Sequence, residues 1–221
     1  NISKQNYFED PKTKNHLHLL ERITESYINN LNAPLGEKAR NYLQDRGFNK
    51  SIINSFKLGY SGNSNSNKYL VSCLLKEGYS LNDLIEVGLI KKGQNKNLVF
   101  YFQQRLMIPI SNRSGKTIAF GGRILTNENP KYLNSPETYL FQKSRQLFGI
   151  LNAKNLLHKK RFIICEGYMD VISLSKHGYP SVASLGTTLT DDQIKIIFNI
   201  VDEAFLIFDG DLAGKNATER V

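Results

Sequence analysis

Four acidic residues raise the question of what this chain does. The stretch "CEGYMDV" at 165–171 sets Glu166 at the end of the apolar run "RFIIC" and Asp170 four positions further on, and "FDGD" at 208–211 sets Asp209 and Asp211 at the end of "EAFLIF". Carboxylate oxygens with no His or Cys beside them suit a hard cation, Mg²⁺ or Mn²⁺, that keeps some waters and completes its shell with phosphate oxygens. Two such ions activate an attacking hydroxyl and stabilise a leaving pyrophosphate in phosphoryl transfer. Glu166, Asp209 and Asp211 are therefore candidate metal ligands and catalytic groups. Asp170 joins them as a candidate, with first-turn acid on a helix dipole as the equal alternative. An Asp-Gly pair alone is a common turn, so the argument rests on where the chain brings these groups.

That placement follows from the elements around them. "RFIIC" reads as a buried strand, "YMDVISLSKHG" as a helix ending near Gly178, and "PSVASL" as a second strand. "TDDQIKIIFNIV" reads as a helix with Thr190 as its cap and Gln193 at the capping-box position, "EAFLIF" as a third strand and "LAGKNATERV" as the start of another helix. Alternating strand and helix predicts a parallel sheet covered on both faces, with its site off the carboxyl ends of the strands. The first strand ends at Glu166, the second runs into "LGTT", and the third ends at Asp209 and Asp211, all at one sheet edge. Gly167 and Gly210 permit tight turns and close approach of a bulky ligand.

Upstream the pattern differs. Leu20, Ile23, Tyr27 and Leu31 recur at helical spacing, so 16–31 reads as an amphipathic helix broken by "NAPLG". "EKARNYLQDRG" reads as a second helix closed by Gly47, and shorter helices are expected near 50–56 and 67–77. "SGNSNSN" at 61–67 reads as a polar surface loop. Ser80 and Asp83 have capping-box form, opening a helix that Gly88 ends. "LVFYF", "RLMIPI" and "TIAFGGRIL" form a small sheet, with "SNRSG" as a hairpin connection. The expected class is α/β, with a basic, mixed α+β N-terminal subdomain over 1–155 followed by a Rossmann-like parallel-sheet subdomain over 156–221.

Charge divides the same way. The 221 residues carry a net +9. Residues 151–221 hold eight Lys/Arg and nine Asp/Glu, which leaves 21 and 11 for residues 1–150. A basic module beside a neutral, carboxylate-bearing one suits a polyanion held on the first while chemistry proceeds on the second; the alternative is a generic lysine-rich surface. No apolar run approaches the roughly 20 residues of a membrane span, and no leader precedes the first helix, so a cytoplasmic protein with no membrane partner is expected. Cys73 and Cys165 have no Cys or His at ligand spacing, which argues against zinc and a disulfide framework, and Cys165 reads as a small core residue. The four histidines lie away from the carboxylates and read as surface or structural residues. The start at Asn1 and the stop at Val221, inside what reads as a helix, are taken as the ends of an excised piece.

"FGGRILTNENPKYLNSPETYLFQKSR" interleaves Arg123, Lys131, Lys143 and Arg145 with Tyr132, Tyr139 and Phe141. Cations neutralise phosphates while aromatic rings stack on bases, so the stretch suits a single strand bound without sequence readout. Strand alternation sets at least one of Tyr139 and Phe141 against the core instead. "SNRSGK" lacks the full phosphate-loop spacing and leads into no helix, so it reads as a hairpin turn.

"EGYMDV" followed 43 residues later by "DGDLAG", with "ASLGTTLT" between, resembles the toprim module, and specifically that of the bacterial replicative DNA primases of the DnaG type. "RLMIPI", "GKTIAFGGRIL" and "PKYLNSPETYLFQKSRQLFGI" are similar to the subdomain that precedes toprim in that family. The likeness is strong over roughly 98–221 and loose over 16–97. It implies Glu166 as general base or metal ligand, and Asp209 and Asp211 as Mg²⁺ ligands. It places Arg123, Lys131, Tyr132, Asn134 and Lys143 near template and nucleotide, and Arg105 is a candidate binding residue with them. Gln103 stands where the family commonly has an arginine. The implied activity is synthesis of short RNA primers on single-stranded DNA from ribonucleoside triphosphates during replication, at the fork in the bacterial nucleoid. The family's zinc module, its third toprim carboxylate motif with the helical bundle, and the domain that meets the replicative helicase all lie outside this chain; single-stranded-DNA-binding protein is a further implied partner. Another toprim enzyme, a nuclease or topoisomerase, or a DNA-binding fragment without activity are the competing readings.

Overall fold

The computed structural model describes residues 10–93, 97–186 and 189–208. They fall into two units: the described parts of Asn1–Gly47, Lys57–Pro109 and Lys116–Leu140 form one, those of Phe48–Phe56, Ile110–Gly115 and Phe141–Val221 the other.

The first unit is organised by helix α1, Pro11–Asn32. Asp10 caps it, accepting the Thr13 N–H at 2.9 Å, and Pro11 occupies its first position. Its stripe of Leu19, Leu20, Ile23, Tyr27 and Leu31 is buried against a four-stranded sheet of order β1-β4-β5-β6. Those strands are β1 (Gly59–Tyr60), β4 (Arg105–Ser111), β5 (Thr117–Ile124) and β6 (Tyr132–Asn134). The close crossing requires Gly59, where a Cβ would stand 2.6 Å from the Tyr27 Cβ. The Tyr27 ring meets Phe120 of β5 edge-on at 5.3 Å. Helix α2, Glu37–Asp45, buries Ala39 and Leu43. The turn after it is closed by Gly47 at φ +67°, as its sequence predicts.

Residues 61–67 are not the surface loop their composition suggests. Helix α4, Ser64–Lys76, starts inside them, and the Asn63 side chain accepts the N–H groups of both Asn65 and Ser66. Asn67 is buried, its amide donating to the Phe102 carbonyl at 3.2 Å. Polar, asparagine-rich sequence carries no hydrophobic period, but asparagine is also a strong N-cap, and here capping prevails. Helix α5, Leu81–Glu86, has the expected capping box between Ser80 and Asp83, and Gly88 follows it at φ +75°. A two-stranded ribbon, β2 (Ile90–Lys92) with β3 (Leu98–Phe100), completes the unit.

The second unit contains helix α3 (Lys50–Ser55) and a sheet of order β10-β8-β9-β7. β8 (Arg161–Cys165) runs parallel to β9 (Ser181–Ser184) on one side and to β10 (Glu203–Ile207) on the other. The two-residue β7, Leu147–Phe148, adds an antiparallel edge to β9. That edge is an addition to the expected parallel sheet, because two residues show no alternation. Helices α6 (Ile150–Asn155) and α8 (Asp191–Phe198) pack on one face, where Ile150, Ala153, Phe162, Ile164, Val182 and Ile197 share a core. Helix α7, Tyr168–Lys176, takes the opposite face; its Val171 carbonyl accepts the Ser181 hydroxyl at 3.2 Å. Both helix caps predicted here are present. Thr190 and Gln193 form a reciprocal capping box, and Gly178 ends α7 at φ +78°.

Candidate functional site

The carboxylate edge is built on β8. As the middle of three parallel strands, it pairs Cys165 with Ile207 on one side and Ala183 on the other. The next residue is Glu166, half-buried at the sheet's carboxyl edge. Gly167 then turns the chain into α7 from an extended conformation. Asp170 is exposed, and its Oδ2 accepts the Gly167 N–H at 3.1 Å. At least one oxygen thus serves as the N-terminal acceptor of α7, the helix role anticipated as the alternative to ligation. Cys165 is buried, and burial pushes its thiol up to about 12, with the Asp170 charge adding to the effect. It is a packing residue.

Asp209 and Asp211 lie outside the described residues. Among the described residues no group of three or more His, Cys, Asp or Glu gathers tightly enough to hold a metal ion. The donor chemistry present at this edge, a half-buried carboxylate at the end of a central strand beside a glycine, fits an oxygen-seeking cation such as Mg²⁺.

The second feature lies wholly in the first unit. A groove of about 730 Å³ opens between α2 and the turn that joins β5 to β6. Helix α2 lines it with Lys38, Asn41, Tyr42 and Asp45, and the strand side contributes Arg123, Glu128 and Lys131. Arg123 sits opposite Tyr132 in the β5–β6 ladder, and its Nε donates to the Tyr132 hydroxyl at 3.1 Å. Lys131 and Tyr132 are exposed, and Asn134 pairs with Gly121 two residues further along the ladder. Gly122 of β5 has a packing reason. A Cβ on Gly122 would stand 2.7 Å from the Phe102 ring and 3.0 Å from Arg105 Cδ.

Arg105 is turned inward. It is only 7% exposed, and its Nη1 donates to the carbonyls of Gly122, Pro130 and Lys131. Burial lowers its pKa from the usual arginine value while Glu128 opposes that shift, and it stays a cation at any physiological pH. It braces the turn that carries Lys131. Lys143 belongs to the second unit, in a short 3₁₀ turn, Lys143–Arg145. Its carbonyl accepts the Gln193 side-chain amide at 2.9 Å, which fastens the turn to the start of α8. Of the two aromatic residues ahead of it, Phe141 is fully buried, whereas Tyr139 is 38% exposed with its hydroxyl 2.8 Å from His16 Nδ1.

Comparison with known proteins decides the family. Residues 26–154 match the family model for the DNA primase catalytic core, N-terminal domain. The chain belongs to that family. A Toprim-like family model matches residues 163–221. The DNA primase of Haemophilus influenzae is 39% identical over 215 residues, 95% of this chain and 35% of its own length. Among solved structures, the E. coli primase catalytic core superposes with a TM-score of 0.81 at 35% identity, covering 91% of this chain and 66% of that one. The structure of a DnaG primase catalytic domain bound to ssDNA gives 0.81 at 33% identity, covering 94% and 65%. This chain therefore spans about a third of the length of the curated primases it matches.

Within the primase-core fold, the structure sets Arg123 and Lys131 at one groove, with Tyr132 hydrogen-bonded to Arg123 and Arg105 bracing the turn. It assigns Lys143, Glu166 and Asp170 to the other unit. The α2 wall of the groove has no counterpart among the residues singled out from sequence. Its signal was a polar face at positions 38, 41, 42 and 45, the i, i+3, i+4, i+7 spacing of one side of a helix.

Proposed function

We propose that this chain is part of a primase polymerase core that copies single-stranded DNA into short RNA primers from ribonucleoside triphosphates. What carries the reading is the match to primase cores along nearly the whole chain, including one solved with ssDNA. The basic, tyrosine-bearing groove supports it, since cations and rings suit a strand held without reading its sequence.

Arg123 and Lys131 would neutralise backbone phosphates, and Tyr132 and Asn134 would orient template or nucleotide beside them. Lys143 would add a cation in the second unit. Glu166, with Asp209 and Asp211, would hold Mg²⁺ or Mn²⁺, which when bound supplies charge neutralisation for attack of a 3′-hydroxyl on an α-phosphate. Glu166 itself would bind the cation or accept the hydroxyl proton. The protein's share is positioning and electrostatics. The division into a basic subdomain over 1–155 and a toprim subdomain over 156–221 belongs to this reading. So do the zinc module, the helicase-binding domain and single-stranded-DNA-binding protein as partners of the whole protein, and a cytoplasmic site of action at the replication fork. Among the described residues no helix is long and apolar enough to cross a membrane.

The test is ribonucleotide incorporation on single-stranded DNA with Mg²⁺ or Mn²⁺, by the complete parent protein and by its Glu166→Gln variant. Loss of RNA synthesis with DNA affinity intact is expected. Full activity of the variant would remove Glu166 from the chemistry, and absence of any divalent-ion effect would leave a binding module.

A further inference from the structure

The groove wall supplied by α2 contains one side chain whose job is set by its neighbours. The Arg123 guanidinium carbon lies 4.1 Å from the centroid of the Tyr42 ring and 5.7 Å from that of Tyr132, while its Nε–H is given to the Tyr132 hydroxyl. A guanidinium is a rigid plane with five N–H donors in its plane and a π face above and below. The hydrogen bond to Tyr132 uses the Nε donor, and the Tyr42 ring covers one face. Rotation of the plane is opposed on two sides, and the Nη donors remain to meet a phosphate. The Arg46 guanidinium carbon, 5.1 Å from the Tyr42 ring, adds a second cation to the same aromatic side chain.

We propose that Tyr42 is a positioning residue: its ring fixes the Arg123 guanidinium in the orientation that binds a backbone phosphate of the single strand in the groove. The proposal rests on the reading that this groove holds a nucleic-acid strand. The ring and not the hydroxyl carries the role, because it is the ring, centred 4.1 Å from the guanidinium carbon, that Arg123 meets. Without the ring, Arg123 keeps its charge but must surrender rotamer freedom when a phosphate binds, so affinity falls while the electrostatics of the free protein stay as they were.

The experiment measures binding of a fluorescein-labelled oligothymidylate to the complete parent protein as a function of salt. It compares Tyr42→Leu, Tyr42→Phe, Arg123→Gln and the double variant Tyr42→Leu/Arg123→Gln, each checked for folding by its thermal midpoint. Arg123→Gln should weaken binding and lower the log-log salt slope by about one. Tyr42→Leu should weaken binding about three- to tenfold, the cost of immobilising one rotamer-rich side chain when the phosphate binds. Tyr42→Phe should bind like the wild type, and the double variant no worse than Arg123→Gln alone. Wild-type affinity for Tyr42→Leu would overturn the proposal. So would additive losses in the double variant, which would make Tyr42 a base-stacking residue in its own right. Should Tyr42→Leu fail to fold, Tyr42→Met provides the same comparison. If Arg123→Gln itself leaves both affinity and slope unchanged, the groove is not the strand's path, and that failure is distinct from the failure of Tyr42.

Discussion

His16 Nε2 and Asp83 Oδ1 lie 2.9 Å apart although 67 positions separate them in the chain. On its other side, His16 Nδ1 meets the Tyr139 hydroxyl at 2.8 Å. Helix α1, the capping box of α5 and the segment after β6 are thus tied through one fully buried imidazole. Replacing His16 by Leu or Ala removes its hydrogen bonds to Asp83 and Tyr139. The expected cost is about 1–3 kcal/mol, measured by denaturant unfolding, and a loss of stability below a few tenths would deny the tie its role.

Asp83 gives the same cluster a pH dependence. Hydrogen bonds from Ser80, and next from His16, hold its carboxyl at about 2, below the ordinary value of 3.8. An acid whose folded pKa is depressed stabilises the fold above its unfolded pKa, and that contribution is lost as pH falls through the folded one. Thermal midpoints of the wild type should therefore fall more steeply than those of Asp83→Asn between pH 4 and pH 2. Parallel curves would contradict this.

Arg105 and Lys131 are expected to respond to mutation in opposite ways. Arg105→Met removes the donor from three carbonyls and should destabilise the first unit, seen as a lower unfolding midpoint. Lys131→Gln, at an exposed side chain, should leave the midpoint within about 0.5 kcal/mol and instead lower the salt slope of single-strand binding by about one.

The two cysteines should separate chemically. With its thiol pushed up to about 12, Cys165 should resist alkylation in the folded protein at pH 8 while the half-buried Cys73 reacts first. The same raised pKa keeps Cys165 neutral in the fold, so its stabilising contribution is present below its unfolded value, near 9, and fades as pH rises toward 12. Peptide mapping after timed iodoacetamide treatment reads out the order.

A change at Gly149 should be costly. It sits at φ +79°, and a Cβ there would stand 2.5 Å from Val171 Cγ1 of α7. Gly149→Ala should lower stability by more than the ~1 kcal/mol of a simple left-handed penalty, because the clash adds to it. Unfolding of the purified variant is the measurement.

Much of this was legible in the sequence because local chemistry and tertiary need agree. Thr190 with Gln193, Ser80 with Asp83, Gly47 and Gly178 mark helix ends by residue types that can do little else, and the alternation of strands and helices after residue 160 yields the parallel direction of the strands, though not their order. Asn63–Asn67 went unread because capping and loop formation use the same residues, and only burial of Asn67 under Phe102 separates them. The groove shows the same limit. Arg123 and Lys131 announce themselves as cations among aromatics, but Arg105 looks identical in type and points inward to backbone carbonyls. The helical spacing of Lys38, Asn41, Tyr42 and Asp45 marks a polar face but not the use of Tyr42 on it, because the cation that gives its ring that use lies in a strand more than 80 residues away.

The strand order of the second sheet also bears on how the chain is made. Synthesis delivers β7, β8 and β9 before β10, yet β8 lies between β9 and β10. Eighteen residues lie between the end of β9 and the start of β10, roughly one to four seconds of translation. Throughout that interval the central strand of the sheet presents one bare edge of N–H and C=O groups to whatever else the cell offers. The central strand of this sheet is thus the last to have both its edges paired during synthesis.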